Sequence, residues 1–110
     1  MSFARFVSPT ELDETLEALR RRYLASFPEK RASLAAAWQV DRADTTRASL
    51  YRLAHRLAGS AGAYGIAEVS HAAARLEQLL LEPAATVDQI GHALGEVDEA
   101  LACAAPPEPK

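Results

Sequence analysis

The sequence predicts an all-α fold, an antiparallel four-helix bundle with an additional N-terminal helical segment. Alanine and leucine, which favour helices, are the commonest residues, whereas the chain holds only five valines and two isoleucines. No stretch alternates apolar and polar residues as a half-buried strand would. Apolar stripes recur instead at helical spacing, each bounded by a capping or helix-breaking residue.

The N-terminal helical region is predicted to begin at Ser8 and to be interrupted near Pro28. Ser8 is a helix N-cap, Pro9 follows at the first helical position, and Glu11 completes a capping box. An apolar stripe follows at helical spacing, formed by Leu12, Leu16, Leu19, Tyr23 and Phe27, and it continues beyond Pro28 through Leu34 and Trp38. Because Pro28 lacks an amide hydrogen, either one helix kinks there or a second helix begins at Ser26 with Glu29 in the capping position. We expect two helical segments lying roughly end to end.

The third predicted helix follows a loop over 40–46, in which Asp44 or Thr45 supplies the cap. This helix covers about 46–63, and Gly65 suits the left-handed position that ends it. Its core stripe is Leu50, Leu53, Leu57 and Ala61.

The fourth predicted helix covers about 67–82 and stops before Pro83, while Thr86 and Gln89 form the capping box of the last helix. Short connections place neighbouring helices antiparallel. We therefore predict one domain over 1–105 and a disordered, proline-rich tail over 106–110.

Composition narrows the possible functions of this 110-residue chain. A net charge of −3 and an isoelectric point near 5.6 argue against nucleic-acid binding. No apolar run reaches the ~20 residues of a membrane span, and the N-terminus lacks the apolar core of a signal peptide. The single cysteine, Cys103, has neither a disulfide partner nor a metal-ligand motif around it. We expect a cytoplasmic monomer that binds neither nucleic acid nor membrane.

The segment AHRLAGSAGAYG, residues 54–65, concentrates three glycines behind a histidine. At about 100° per residue, His55 faces away from the leucine stripe of its helix. Gly59 and Gly62 share its face, although a helical glycine costs ~1 kcal/mol relative to alanine. One interpretation is close packing against another helix. The other is that a partner presses close around the imidazole, where side chains would block it.

A carboxylate is predicted to lie beside this histidine. Ile66 at the turn lies eleven positions after His55, and Glu77 lies eleven positions after Ile66. Residues equidistant from the turn of a helical hairpin lie at one level, so Glu77 can accept a hydrogen bond from Nδ1–H of His55. That bond fixes the tautomer and leaves the Nε2 lone pair free. The alternative is that Glu77 is an ordinary solvated helix residue.

These residues resemble the motif of histidine-containing phosphotransfer (HPt) domains. The family pattern is a helical histidine, a hydrophobic residue two positions on, then often lysine, glycine and serine or alanine, and later an aromatic or hydrophobic residue followed by glycine. The corresponding residues here are His55, Leu57, Ala58, Gly59, Ser60, Tyr64 and Gly65. The motif spans about 51–81, and the predicted helix order fits the family over nearly the whole chain.

The resemblance implies that His55 carries a phosphoryl group on Nε2 and supports Glu77 as the acceptor for Nδ1–H. It implies receiver domains of response regulators and a hybrid histidine kinase as partners, and no cofactor on this chain, since the receiver holds the Mg²⁺. The residues expected at the docking surface are Arg52, Arg56, Gly59, Ser60 and Gly62. Many members carry a lysine where this chain has Ala58, and either arginine could supply that charge or have an ordinary surface role.

Other classes of function find less support. No glycine-rich nucleotide loop with a lysine and no Gly-x-Ser-x-Gly elbow occurs, so we expect a phosphotransfer intermediate without kinase activity of its own. His55, His71 and His92 do not form a metal-ligand motif, so we expect no metal site. The remaining alternative is a non-catalytic helical adaptor that binds other proteins.

Overall fold

The computed structural model of the protein describes residues 8–39 and 44–104. These residues form five helices and no strand, so the predicted all-α class is confirmed. The helices are α1 (Pro9–Ala25), α2 (Phe27–Gln39), α3 (Asp44–Ala63), α4 (Ala67–Leu81) and α5 (Val87–Ala104). The predicted loop residues 40–43 and the predicted tail over 106–110 lie outside the described residues.

The starts of α1 and α5 follow the predicted capping residues, whereas α3 begins at Asp44, so residues 44–46 are helical and not part of the predicted loop. Ser8 Oγ accepts a hydrogen bond from the Glu11 amide at 3.1 Å, which satisfies one of the free donors of the first turn of α1. The α5 capping box is complete, because Thr86 Oγ1 accepts from the Gln89 amide and Gln89 Oε1 accepts from the Thr86 amide, at 3.1 and 2.9 Å. These local bonds set where both helices begin.

The predicted interruption near Pro28 is confirmed and falls at Ser26, between α1 and α2. Ser26 is a turn residue whose amide donates to the Tyr23 carbonyl at 3.0 Å, and its hydroxyl donates to the same oxygen at 2.5 Å. Pro28 lies in the first turn of α2, where a missing amide hydrogen leaves no helical bond unmade. The two segments are therefore separate helices.

Helices α2 to α5 pack against one another in a closed ring. α3 packs on α4, α4 on α5, α5 on α2, and α2 on α3, which makes a four-helix bundle. The largest fully buried side chains fill its centre: Phe27, Leu50, Leu76, Ile90, Leu101, Val69 and Val97. None of the described helices combines the length and the hydropathy of a membrane span.

The apolar stripe of α1 is only partly buried. Leu12, Leu16 and Leu19 are exposed, whereas Tyr23 is half-buried and Phe27 is fully buried. The ring of α2 to α5 closes without α1, so only the C-terminal end of α1 reaches the core. The helical spacing was correctly identified, but spacing alone does not say whether a neighbouring element covers the stripe.

Side-chain hydrogen bonds link neighbouring elements of the bundle. Arg31 of α2 donates from Nε and Nη2 to the two carboxylate oxygens of Asp98 on α5, at 2.8 and 3.1 Å. Arg47 of α3 donates to the Ala85 carbonyl in the α4–α5 connection at 2.7 Å. The bidentate geometry of the first pair gives it more directional preference than a single-contact surface ion pair.

Asp98→Asn is expected to destabilise the protein slightly at neutral pH. The Arg31 guanidinium, by hydrogen bonding first and by its charge, holds the pKa of Asp98 below its usual 3.8. A lowered folded-state pKa stabilises the fold above pH ~4, and this stabilisation disappears as the pH falls through the folded pKa. Since both side chains are partly exposed, we expect the melting temperature to fall by up to roughly 5 °C at pH 7.

Thermal melts of both proteins between pH 7 and pH ~2.5 test this prediction. The difference between wild type and variant should shrink at the acidic end. Glu99→Gln is the control, because it removes the same charge from an exposed position of the same helix. A difference that stays constant with pH, or an equal effect of Glu99→Gln, would contradict a specific role of the Arg31–Asp98 pair.

Candidate functional site

The site is built on the hairpin of α3 and α4, whose turn is Tyr64, Gly65 and Ile66. Gly65 adopts φ +74°, a conformation that costs glycine little. The Ile66 amide donates to the Ala61 carbonyl at 2.8 Å, and the Gly65 amide donates to the Gly62 carbonyl at 3.1 Å. This pair of bonds is the Schellman arrangement that ends a helix and reverses the chain direction. The predicted left-handed glycine is therefore present.

Ser70 fixes how closely α4 approaches α3. Its hydroxyl donates to the Ala58 carbonyl of α3 at 2.7 Å. A Cβ atom built on Gly62 would lie 3.2 Å from Ser70 Oγ, closer than ordinary van der Waals contact. Close packing of α3 against α4 therefore accounts for a glycine at position 62. This is the first of the two interpretations given for Gly59 and Gly62 in the sequence analysis. Its predicted docking role remains a prediction.

His55 and Glu77 are brought together by this hairpin, as the count of residues from the turn predicts. Nδ1 of His55 lies 2.5 Å from Oε2 of Glu77. The His55 side chain is 66% exposed, whereas that of Glu77 is only 16% exposed. An exposed imidazole thus rests on a largely buried carboxylate, and the alternative that Glu77 is merely solvated does not describe the structure.

The aromatic ring of Tyr51 forms a second contact of the imidazole. Tyr51 lies one turn before His55 on α3, and the two rings stack with centroids 5.8 Å apart at an interplanar angle of 12°. Stacking restricts rotation of the imidazole, while the Glu77 bond restricts its tautomer. Sequence reasoning missed Tyr51, although the i, i+4 spacing to His55 was the signal that could have found it.

This arrangement has a definite chemical consequence. A carboxylate is an acceptor only, so the Nδ1 atom that faces it must carry the proton of the neutral ring. Nε2 then holds the lone pair and is available as a nucleophile. The nearby negative charge also stabilises any positive charge that develops on the ring when Nε2 forms a bond.

Gly59 lies on open surface one turn beyond His55. A Cβ atom built there meets no atom within 4 Å, so no neighbouring helix explains this glycine. Its environment differs from that of Gly62, although the sequence grouped the two. The exposed backbone at Gly59 leaves room for another molecule to approach the helix close to the imidazole.

The remaining predicted docking residues surround this surface. Arg52 and Arg56 are exposed, and Ser60 is half-buried with its hydroxyl 2.5 Å from the hydroxyl of Tyr23. Burial raises the pKa of Tyr23, and the neighbouring Tyr64 ring, stacked at 4.4 Å, adds to this effect although the Ser60 bond opposes it. Tyr23 therefore stays protonated and holds α1 against α3.

A cleft of about 400 Å³ opens between α2 and α3 beside these residues, with Lys30 and Arg56 in its lining. Lys30 donates to the Ser26 hydroxyl at 2.8 Å and lies 4.9 Å above the Tyr23 ring. Sequence reasoning missed this second cation because it lies on a different helix, and no spacing pattern connects it to His55. The cleft lining thus carries two cations, Lys30 and Arg56, and one carboxylate, Glu29.

A metal centre finds no support in the part of the chain that the structure describes. No three His, Cys, Asp or Glu side chains converge there in a way that could hold a metal ion. His71 and His92 are exposed on α4 and α5, away from the His55–Glu77 pair.

Comparison with models of known protein families assigns the chain to a family. The family model described as the Hpt domain matches residues 10–103, and the chain belongs to this family. Comparison with curated proteins and with solved structures gave no significant match. Hpt domains are phosphotransfer intermediates of two-component phosphorelays, and they interact with receiver domains and histidine kinases. The chain therefore takes part in histidine phosphotransfer, and the predicted family is confirmed.

Glu77→Ala is expected to change the tautomer of His55. At about pH 9, where histidines are ordinarily neutral, the wild-type ring should carry its proton on Nδ1. Without the carboxylate, the population should shift towards Nε2–H. The ¹⁵N chemical shifts of the ring nitrogens distinguish the two forms. Glu68→Ala, an exposed carboxylate on the same helix, is the control and should leave the tautomer unchanged. The same tautomer in wild type and Glu77→Ala would contradict the assigned role.

Proposed function

We propose that the chain accepts a phosphoryl group on Nε2 of His55 from a receiver-domain aspartate and passes it to the receiver domain of a response regulator. This donor receiver domain is either part of a hybrid histidine kinase or receives its phosphoryl group from one. The observation that carries this proposal is the exposed imidazole whose Nδ1 is bonded to the largely buried Glu77. This arrangement leaves one nucleophilic nitrogen facing outward.

The proposed transfer needs no proton to leave the site. The Nε2 lone pair attacks the phosphorus of the aspartyl phosphate, and the bond from phosphorus to the aspartate oxygen breaks as the electron pair returns to that carboxylate. The ring keeps its proton on Nδ1 and gains positive charge, which the Glu77 carboxylate stabilises. Return of the phosphoryl group to a second receiver is the reverse reaction.

The proposed contribution of this chain is a positioned nucleophile and a docking surface. In-line transfer requires the reacting atoms to come within about 3–3.5 Å. The open surface at Gly59 supports such an approach, and Ser60 and Gly62 continue the same region of α3. We assign Arg52 and Arg56 to the rim of this surface, where either cation could take the place of the lysine that Ala58 replaces.

The partner supplies the remaining chemistry in this proposal. The receiver domain brings the Mg²⁺ that neutralises the phosphoryl oxygens, so the chain itself needs no cofactor. It also needs no ATP site, because the phosphoryl group arrives from the partner. We propose that the relay takes place in the cytoplasm, where hybrid kinases and response regulators exchange phosphoryl groups.

His55→Gln is expected to abolish phosphorylation while the fold remains intact. The imidazole is exposed, so its replacement removes few packing contacts. Incubation with a radiolabelled phospho-receiver should label wild type with an acid-labile, alkali-stable phosphoramidate and leave the variant unlabelled. His71→Gln and His92→Gln are matched controls that should retain full labelling. Label retained in His55→Gln would overturn His55 as the acceptor, and a wild type that takes up no label would favour the adaptor function.

Gly59→Leu is expected to reduce phosphotransfer sharply without unfolding the protein. Its side chain would extend into the open space that the receiver must occupy. Gly95→Leu on α5 is the matched control, because a Cβ atom there also meets nothing within 4 Å. Both variants should keep wild-type helicity, and each should gain up to ~1 kcal/mol in helix propensity.

Transfer rates and thermal melts separate the two possible roles of Gly59. Loss of transfer in Gly59→Leu but not in Gly95→Leu supports docking at α3. An unfolded Gly59→Leu protein would show that the position is needed for packing. Equal transfer in all three proteins would show that the receiver does not approach over Gly59.

A further inference from the structure

The N-terminal helix α1 leaves three leucines on the surface. Leu12, Leu16 and Leu19 are 50%, 53% and 38% exposed, and none of the residues of α1 is buried. Their i, i+4, i+7 spacing places them in one stripe, which is the spacing of a two-helix seam. Single exposed leucines are common on protein surfaces, but a contiguous stripe marks an interaction site.

Charged residues flank this leucine stripe in a regular order. At about 100° per residue, Asp13 and Arg20 lie along one side of the stripe, and Glu11 and Arg22 lie along the other. On both sides the acidic residue is nearer the N-terminus and the arginine is nearer the C-terminus. Both flanks of the stripe therefore change from negative to positive charge in the same direction along the helix.

This order of charges specifies a partner. We propose that α1 pairs with α1 of a second copy of this chain, antiparallel, with the leucine stripes in contact. Asp13 then faces Arg20 of the other copy, and Glu11 faces Arg22. Both pairs have the same midpoint, between residues 16 and 17, so one two-fold axis satisfies all four contacts. A parallel pair would instead place like charges opposite each other.

The proposed dimer replaces the monomer that the sequence led us to expect. It does not depend on the phosphotransfer proposal, because the order of charges along α1 and the exposed leucines carry it without reference to His55. The contacts of α1 with the α3–α4 hairpin come from its C-terminal half, at Tyr23 and through a 3.4 Å bond from Arg20 Nε to the Tyr64 carbonyl. The leucines themselves contribute nothing to the closed ring of α2 to α5. Their replacement should therefore leave the bundle folded.

Sedimentation equilibrium on the full chain across a range of concentrations tests the proposal. Wild type should show a concentration-dependent monomer–dimer equilibrium. Leu16→Glu should raise the dimer dissociation constant by at least about tenfold, because a charge replaces a buried leucine at the centre of the seam. Leu81→Glu is the matched control, since Leu81 is equally exposed on α4 and lies outside the stripe. It should leave the equilibrium unchanged.

Charge exchange tests the antiparallel order. The double variants E11K/D13K and R20E/R22E should each self-associate more weakly than wild type, because like charges now face each other along both flanks. An equimolar mixture of the two should form a heterodimer, since every flanking contact is then between opposite charges. Helicity and melting temperature measured for each variant confirm that the bundle remains folded.

Three outcomes would overturn the proposal. Wild type could be a monomer at hundreds of micromolar, a dimer could persist unchanged in Leu16→Glu, or the two charge variants could self-associate as well as wild type. A monomer whose Leu16→Glu variant no longer binds a receiver domain would assign the leucine stripe to the receiver instead of to a second copy.

Discussion

The close antiparallel packing of α3 against α4 is the constraint on which the site depends. Three features define this packing. They are the left-handed turn at Gly65, the hydrogen bond from Ser70 to the Ala58 carbonyl, and the lack of a side chain on Gly62. Together they set the register that brings Glu77 to His55 at 2.5 Å. A shift of α4 by one residue would rotate Glu77 by about 100° and remove the carboxylate from the imidazole.

The site also depends on a difference in burial between the Glu77 carboxylate and the His55 imidazole. Glu77 is largely buried, so it interacts with the imidazole through less water than an exposed carboxylate would. His55 is exposed, so its second nitrogen remains accessible. A largely buried acceptor beneath an exposed imidazole meets two requirements of the proposed transfer, a fixed tautomer and free access to Nε2. Neither full burial nor full exposure of the pair would meet both.

Local patterns predicted much of this structure. The capping residues Ser8 and Thr86 and the turn at Gly65 determine helix ends through bonds between residues a few positions apart, and such bonds are visible in the sequence. The pairing of Glu77 with His55 could also be predicted, because a short turn makes the register of a hairpin a matter of counting residues.

Features that depend on distant elements could not be predicted in this way. The leucines of α1 have the spacing of a core stripe, but whether a stripe is buried depends on how the other helices close the bundle. Gly59 and Gly62 look alike in the sequence and differ only in whether Ser70 lies opposite. Lys30 reaches the surface beside α3 from another helix, which no local pattern reveals.

The position of the phosphoryl group on the imidazole ring tests the central claim most directly. The chain labelled with ¹⁵N in its histidines would be phosphorylated by a phospho-receiver, and the ¹⁵N–³¹P coupling would identify the bonded nitrogen. The hydrogen bond from Nδ1 to Glu77 requires the coupling to appear on Nε2 of His55, with Nδ1 still protonated. Coupling on Nδ1, or on a nitrogen of another histidine, would contradict the account.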